Sequence, residues 1–422
     1  MRKHITMLVF TALTLCGFAQ KSSFKNNDYF IEGGLRYGSA LYHPKNNDYL
    51  EDLYFGSIEV RFGLQTRGLK SWEAPLKYPI IGFALRYTDY TDFGDPINVI
   101  KARNAVMGKN IAFWGYLQGN IIQYKCFTWH YQIGMGAAYF TKIYNEDVRY
   151  SPNGETDGST NDLISLHVNP YINFQMGFDF KVSPQFDLCL NANFLHSSNG
   201  SLNMPNSGIN EIQGIAGVRY HFNKNVPRIE ADSVYKFKPS NALFFTVDPG
   251  CLLARYDDYY YLKLGASLGY VRKVYSFLNV GAAFEMQVVT RLQPSKHFDP
   301  NDQPSPEEMM PKVIHIESLY AFTELVFGRF AFHVGVGGHV YRGPGEMARK
   351  ADLANVFDGE DYLKKISFVY ERVGFKIFLG KNHDHFIGAT LFAHAPLADY
   401  LALTYGYKFY QFGDIKKGGV RK

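Results

Sequence analysis

The 422-residue sequence contains no apolar run approaching the ~20 residues that a membrane-spanning helix needs. Its longest candidate, Met7 to Phe18, is too short and stands behind the basic residues Arg2, Lys3 and His4. That arrangement reads as a signal peptide over residues 1–19, with Gly17 and Ala19 as the small residues before a cleavage site at Gln20. Cys16 does not make it a lipoprotein leader, because Leu15 and not a small residue precedes it. Cysteine is scarce beyond that point. Cys126, Cys189 and Cys251 are an odd set without metal-ligand spacing, so neither a disulfide framework nor a metal site is expected. Tryptophan occurs only 3 times, and the net charge of +5 is not gathered into a basic cluster interleaved with aromatics, which argues against nucleic acid as a partner.

What the sequence does have is 31 Tyr, 35 Phe and 39 Gly. Aromatic girdles at two interfaces and small residues facing a lumen are what a transmembrane β-barrel requires. Period-2 alternation recurs through the chain. Phe127, Trp129, Tyr131, Ile133, Met135, Ala137 and Tyr139 alternate with Thr128, His130, Gln132, Gly134, Gly136 and Ala138. Leu262, Leu264, Ala266, Leu268 and Tyr270 alternate in the same way with Lys263, Gly265, Ser267 and Gly269. Such runs exceed the ~5 or 6 residues typical of a soluble sandwich strand. About sixteen of them can be counted. Short turns near Tyr124-Lys125, Val182-Ser183-Pro184, Arg272-Lys273 and Gly328 alternate with long polar loops near 41–52, 91–110, 142–163, 199–208, 291–312 and 343–363. Barrels keep short turns in the periplasm and long loops outside, which sets the orientation. The connection 67–78 is longer than a periplasmic turn should be.

The fold class is therefore all-β, an antiparallel transmembrane barrel whose strands fall into two related sets of about eight. A polar linker, 223–240, separates a first half (20–222) from a second (241–412), and a polar tail follows (413–422). One barrel of about sixteen strands is favoured over two tandem barrels, since two require two independent closures. The penultimate strand of each set carries a histidine, His196 in the first and His394 in the second.

Alternation along Phe186 to Ser198 places Phe186, Leu188, Leu190, Ala192 and Phe194 toward lipid, and Asp187, Cys189, Asn191 and Asn193 toward the lumen. Continuing it puts His196 and Ser198 on the lipid face at the outer end of an ascending strand. Residues two apart on one strand face lie ~7 Å apart at Cα, close enough for an imidazole to reach a hydroxyl. A serine hydroxyl needs a base to take its proton, and a histidine titrates in the useful range. The following strand presents Asn210 on the same outer face, while Glu211 points inward unless a bulge turns it. Asn206 and the amides around Asn199-Gly200 lie in the intervening loop as donors to an oxyanion. The ordinary alternative is interfacial polarity at a strand end.

His196-Ser-Ser198-Asn199-Gly200, followed by Pro205-Asn206-Ser-Gly208-Ile-Asn210, resembles the signature of the PagL-type outer-membrane lipid A 3-O-deacylases. The resemblance covers the first half of the chain and is strongest over 194–222. It implies an eight-stranded barrel in the outer membrane of a Gram-negative bacterium, acting as a carboxylic ester hydrolase on lipid A of lipopolysaccharide in the outer leaflet. It implies Ser198 as nucleophile, His196 as general base, and Asn206 with the Asn199-Gly200 backbone as oxyanion donors. No cofactor or metal is called for. The family's acidic third member falls on Asn210, so either this amide orients His196, or Glu211 reaches the site through a bulge, or activity is low. The second half does not repeat the motif, because Pro396 stands two residues after His394. The competing expectation is a non-catalytic channel or binding barrel with a degenerate deacylase site.

Overall fold

The computed structural model describes residues 27–41, 54–90, 108–144, 163–203, 206, 208–223, 227–228, 238–253, 259–294, 313–342, 369–380, 382–394 and 397–413. The expected leader, most of the expected long loops, much of the expected linker and the tail after Gly413 lie outside the described residues. Among the described residues there are sixteen antiparallel strands. In chain order they are β1 (Asp28–Ala40), β2 (Tyr54–Gln65), β3 (Ile80–Asp89), β4 (Lys109–Tyr124), β5 (Phe127–Phe140), β6 (Val168–Lys181), β7 (Phe186–Ser197) and β8 (Ile209–His221), then β9 (Ser240–Leu253), β10 (Tyr259–Tyr275), β11 (Leu278–Pro294), β12 (Val313–Phe327), β13 (Phe330–Arg342), β14 (Val369–Leu379), β15 (His385–His394) and β16 (Leu397–Gly413).

These strands form two closed barrels of eight, and not the single wide barrel favoured from sequence. β1 pairs with β8 from Phe30↔His221 to Ala40↔Glu211, which closes the first sheet. β9 pairs with both β10 and β16, which closes the second. The deciding factor is interior volume: an eight-stranded barrel has a lumen just wide enough for side chains to fill. The lumen residues match that requirement. In the first barrel Arg36 and Arg61 pair with Glu59, Arg219 bridges Glu32 (2.8 Å) and Asp179 (2.8 Å), and His221 lies between Asp28 (2.8 Å) and Asp187 (2.9 Å). In the second, Arg372 meets Glu285 (2.6 Å) and Asp248 (3.3 Å), and Lys376 meets Glu324 (2.6 Å). Buried charges of this kind are tolerated only when paired, and removing one partner costs about 3–5 kcal/mol.

The faces follow the alternation read from sequence. Along β7 the residues from Phe186 to Phe194 alternate exposed and buried without a break, and β10 and β13 behave likewise. Rings gather at both ends of the strands. Tyr37 stacks on Tyr54 at one end of the first barrel, and Phe127 on Phe178 and Phe186 against Tyr220 at the other. Amphipathic rings at the two membrane boundaries are the girdles that a spanning barrel needs. One turn is displaced from its expected place: β10 runs through Arg272-Lys273 to Tyr275, and the reversal falls at Ser276-Phe277. The long β2–β3 connection is a built structure. The Glu73 carboxylate accepts from the backbone N–H of Gly68 and of Leu69, both at 2.8 Å, and Thr66 N–H donates to Pro79 O. It carries the buried Trp72, whose ring lies edge-on to Phe327 at the β12–β13 turn of the second barrel.

Candidate active site

The pairing of β7 with β8 runs without a register shift from Phe186↔Tyr220 to Ser197↔Ile209, and it sets His196 directly opposite Asn210. Both point away from the lumen, where the period-2 rule places them. The Asn210 Oδ1 lies 2.8 Å from His196 Nδ1, and the Ser198 Oγ lies 3.0 Å from His196 Nε2. An amide oxygen only accepts, so Nδ1 of a neutral His196 carries the hydrogen, and Nε2 is left with a lone pair for the serine hydroxyl. The arrangement is a hydroxyl, a base and an orienting group in one line.

Glu211, the alternative third member, is not brought to the site. With no bulge to turn it, its carboxylate enters the lumen, where it accepts from Arg86 (2.7 Å), Tyr90 (2.5 Å) and Gln213 (3.0 Å) at 2 % exposure. It belongs to the barrel's interior ion-pair network.

The loop after Ser198 is fastened from several directions. Asn199 N–H donates to Asn206 Oδ1 at 3.0 Å, which brings Asn206 to the site and leaves its amide N–H groups as donors. The Asn199 side chain is wholly buried, donating to Ser165 Oγ (2.9 Å) and to Asn203 O (3.0 Å), so its role is to anchor the loop. Asn203 in turn donates to Ser165 O, and Gly208 N–H to Leu163 O. Gly200 and Ser201 then both adopt left-handed backbone, with φ of 61° and 63°. For serine this conformation carries a strain that the surroundings must offset. Gly208 (φ 71°) sits where any side chain would crowd the pair, its Cβ falling 3.1 Å from Ser198 Cβ and 3.2 Å from His196 Cε1. Sequence reasoning did not single out Ser165 or Gly208 as site residues. Gly208 was visible as a glycine inside the motif, but Ser165 lies two strands away, before β6 and β7, and gives no local signal.

The second barrel offers an instructive counterpart. His394 stands at the outer end of its penultimate strand, like His196, but on the lumen face. Its Nδ1 lies 2.5 Å from Asp399 Oδ2, its Nε2 lies 3.0 Å from His339 Nε2, and His339 Nδ1 lies 2.7 Å from Ser318 Oγ. Ser318 is entirely buried. Among the described residues, no group of three or more His, Cys, Asp or Glu side chains is arranged to hold a metal ion.

A family model described as lipid A 3-O-deacylase (PagL) matches residues 56–219. Among solved structures, Neisserial surface protein A is 12% identical at a TM-score of 0.27, covering 46% of this chain and 96% of that one. The outer membrane enzyme PagL is 15% identical at a TM-score of 0.26, with 44% and 97% covered. A Rhodopseudomonas blastica porin is 9% identical at a TM-score of 0.15, with 91% and 99% covered. A search of curated proteins finds no match. The match to the lipid A 3-O-deacylase (PagL) family model thus runs from β2 to β8 of the first barrel, and the second barrel lies beyond it.

Proposed function

We propose that the first barrel hydrolyses an ester-linked acyl chain of lipid A in the outer leaflet of a Gram-negative outer membrane. The observation that carries this reading is the Ser198–His196–Asn210 line on the lipid-facing side of the outer strand ends. Ser198 Oγ attacks the ester carbonyl while its proton passes to His196 Nε2. The developing oxyanion is met by the Asn206 amide and the Gly200 backbone N–H. The tetrahedral intermediate collapses, His196 gives its proton to the departing sugar alkoxide, and an acyl-serine remains. Water, deprotonated by the same imidazole, releases the fatty acid and restores Ser198. Asn210 holds the Nδ1–H tautomer throughout but adds no charge to stabilise the imidazolium, so it supports orientation more than rate.

The reading is also supported by what surrounds the pair. Phe174, Phe194 and Ile212, on the lipid-facing sides of β6, β7 and β8 next to it, are all exposed, giving an acyl chain an apolar strip to lie along. A channel or binding barrel without chemistry is the second reading, and the ion-paired lumens count against conductance. Lipid A from cells carrying the wild-type protein should lose one acyl chain by mass spectrometry, and Ser198→Ala in a folded barrel should leave it intact. Acyl loss persisting in Ser198→Ala would sink the assignment.

A further inference from the structure

The oxyanion loop has a side that the first barrel does not cover. Asn206, Ser165 and Asn203 fasten it through Asn199, and Leu202 N–H returns to Asn199 O. The outer side of Gly200 meets the second barrel instead. A Cβ at Gly200 would lie 3.2 Å from Leu401 Cβ, 3.3 Å from Leu401 N and 3.4 Å from Leu391 Cδ1. Leu401 opens the lipid face of β16 and Leu391 lies beside it on β15, opposite it in the ladder. Exposure along β16 reflects the contact: Leu403, two residues further on the same face, is 68% exposed, whereas Leu401 is half-buried. At the other membrane boundary, Trp72 of the long β2–β3 connection packs on Phe327, and a Cβ at Gly328 would lie 3.8 Å from both Lys70 Nζ and Trp72 Nε1. The two barrels thus touch near both ends of their strands.

We infer that the second barrel is part of the catalytic apparatus of the first: Leu401, with Leu391 beside it, acts as a positioning residue that holds Gly200, and with it the left-handed turn through the strained Ser201, in place. The inference rests on the deacylase reading. Glycine is free to leave the left-handed region, and a left-handed serine persists only where its surroundings hold it, while an oxyanion donor is useful only when already aimed at the developing charge. A lone eight-stranded barrel would leave this side of the loop to mobile lipid. Here it is met by a branched side chain on a rigid strand. The contact also gives a purpose to the second half, which carries no accessible serine–histidine pair of its own among the described residues.

The test uses the full-length protein in mixed detergent–lipid A micelles. Leu401→Ala should lower kcat by about tenfold with KM little changed, because the lost interaction matters in the transition state alone. Leu401→Met should restore most of the rate, and Leu403→Ala should behave as wild type. A kcat for Leu401→Ala within twofold of wild type, in a preparation where wild type is active, overturns the inference and leaves the deacylase reading standing. Inactive wild-type protein brings down the reading itself and the inference with it. A photo-crosslinking residue at position 401, in protein cut at a protease site placed in the linker, should keep the halves joined through the peptide containing Gly200. Capture at 401 no greater than at 403 in that experiment overturns the inference by a route that does not depend on folding of the alanine variant.

Discussion

The two barrels set a histidine at the same place in the chain order and use it in opposite ways. His196 and His394 each stand at the outer end of the penultimate strand of an eight-stranded sheet. His196 faces lipid and meets the buried Ser198 and the part-buried Asn210; His394 faces the lumen and meets Asp399 and His339. The lumen cluster has the richer chemistry on paper, with a carboxylate, two imidazoles and a serine. Yet its serine is walled in by the barrel, and an ester cannot reach it. The outer site has a third member without charge, but it lies on the lipid-facing side of the sheet, where His196 and Asn210 are partly exposed. Access and face, which a single-residue change in strand parity decides, outrank the list of residue types.

The largest expected effect separates the two histidines. His196→Ala should lower deacylation by about a thousandfold, the loss expected when a general base is removed, while His394→Ala should leave the rate within twofold; lipid A turnover in micelles measures both. Next comes the third member. Asn210→Asp should raise kcat by about tenfold, since a carboxylate keeps the same hydrogen bond from Nδ1 and also stabilises the imidazolium. Asp399→Asn in the second barrel should change nothing in the same assay. Glu211→Gln sharpens the distinction within the first barrel. It should leave the rate per folded molecule unchanged but destabilise the barrel by about 3 kcal/mol, because Arg86 is left as an uncompensated buried charge; denaturant unfolding followed by intrinsic fluorescence reads this. The smallest effect is Ser318→Ala, which removes one buried hydrogen bond to His339 and should cost about 1 kcal/mol with no change in deacylation.

Much of this was legible in the sequence, for reasons that are local. The faces of β5, β7, β8, β10 and β13 follow from period-2 alternation, and the same parity brought His196, Ser198 and Asn210 to one surface before any coordinates. The lumen position of Glu211 follows from it too. Barrel number was not legible, because alternation is the same whether β8 turns back to β1 or goes on to β9; closure is a matter of ladder partners nearly the whole length of a half apart. The turn expected at Arg272-Lys273 was misplaced because two basic residues at a strand's inner end look like a reversal, whereas the strand continues past them to Tyr275. The anchor Ser165 and the Ser318–His339–His394 chain were hidden for the same reason as the closures, being assembled from strands and loops far apart in sequence.

The separate closures also decide how the molecule comes apart. β8 completes its ladder on β1 and β16 on β9, so the backbone hydrogen bonds of each sheet are satisfied within its own half. Among the described residues, the halves meet through side-chain contact, at Gly200 and at Trp72. Such a chain melts as two cooperative units, each with its own midpoint, and not as one. Loss of the second unit alone would leave the first a closed barrel, with its serine and histidine still paired and one face of its loop bare.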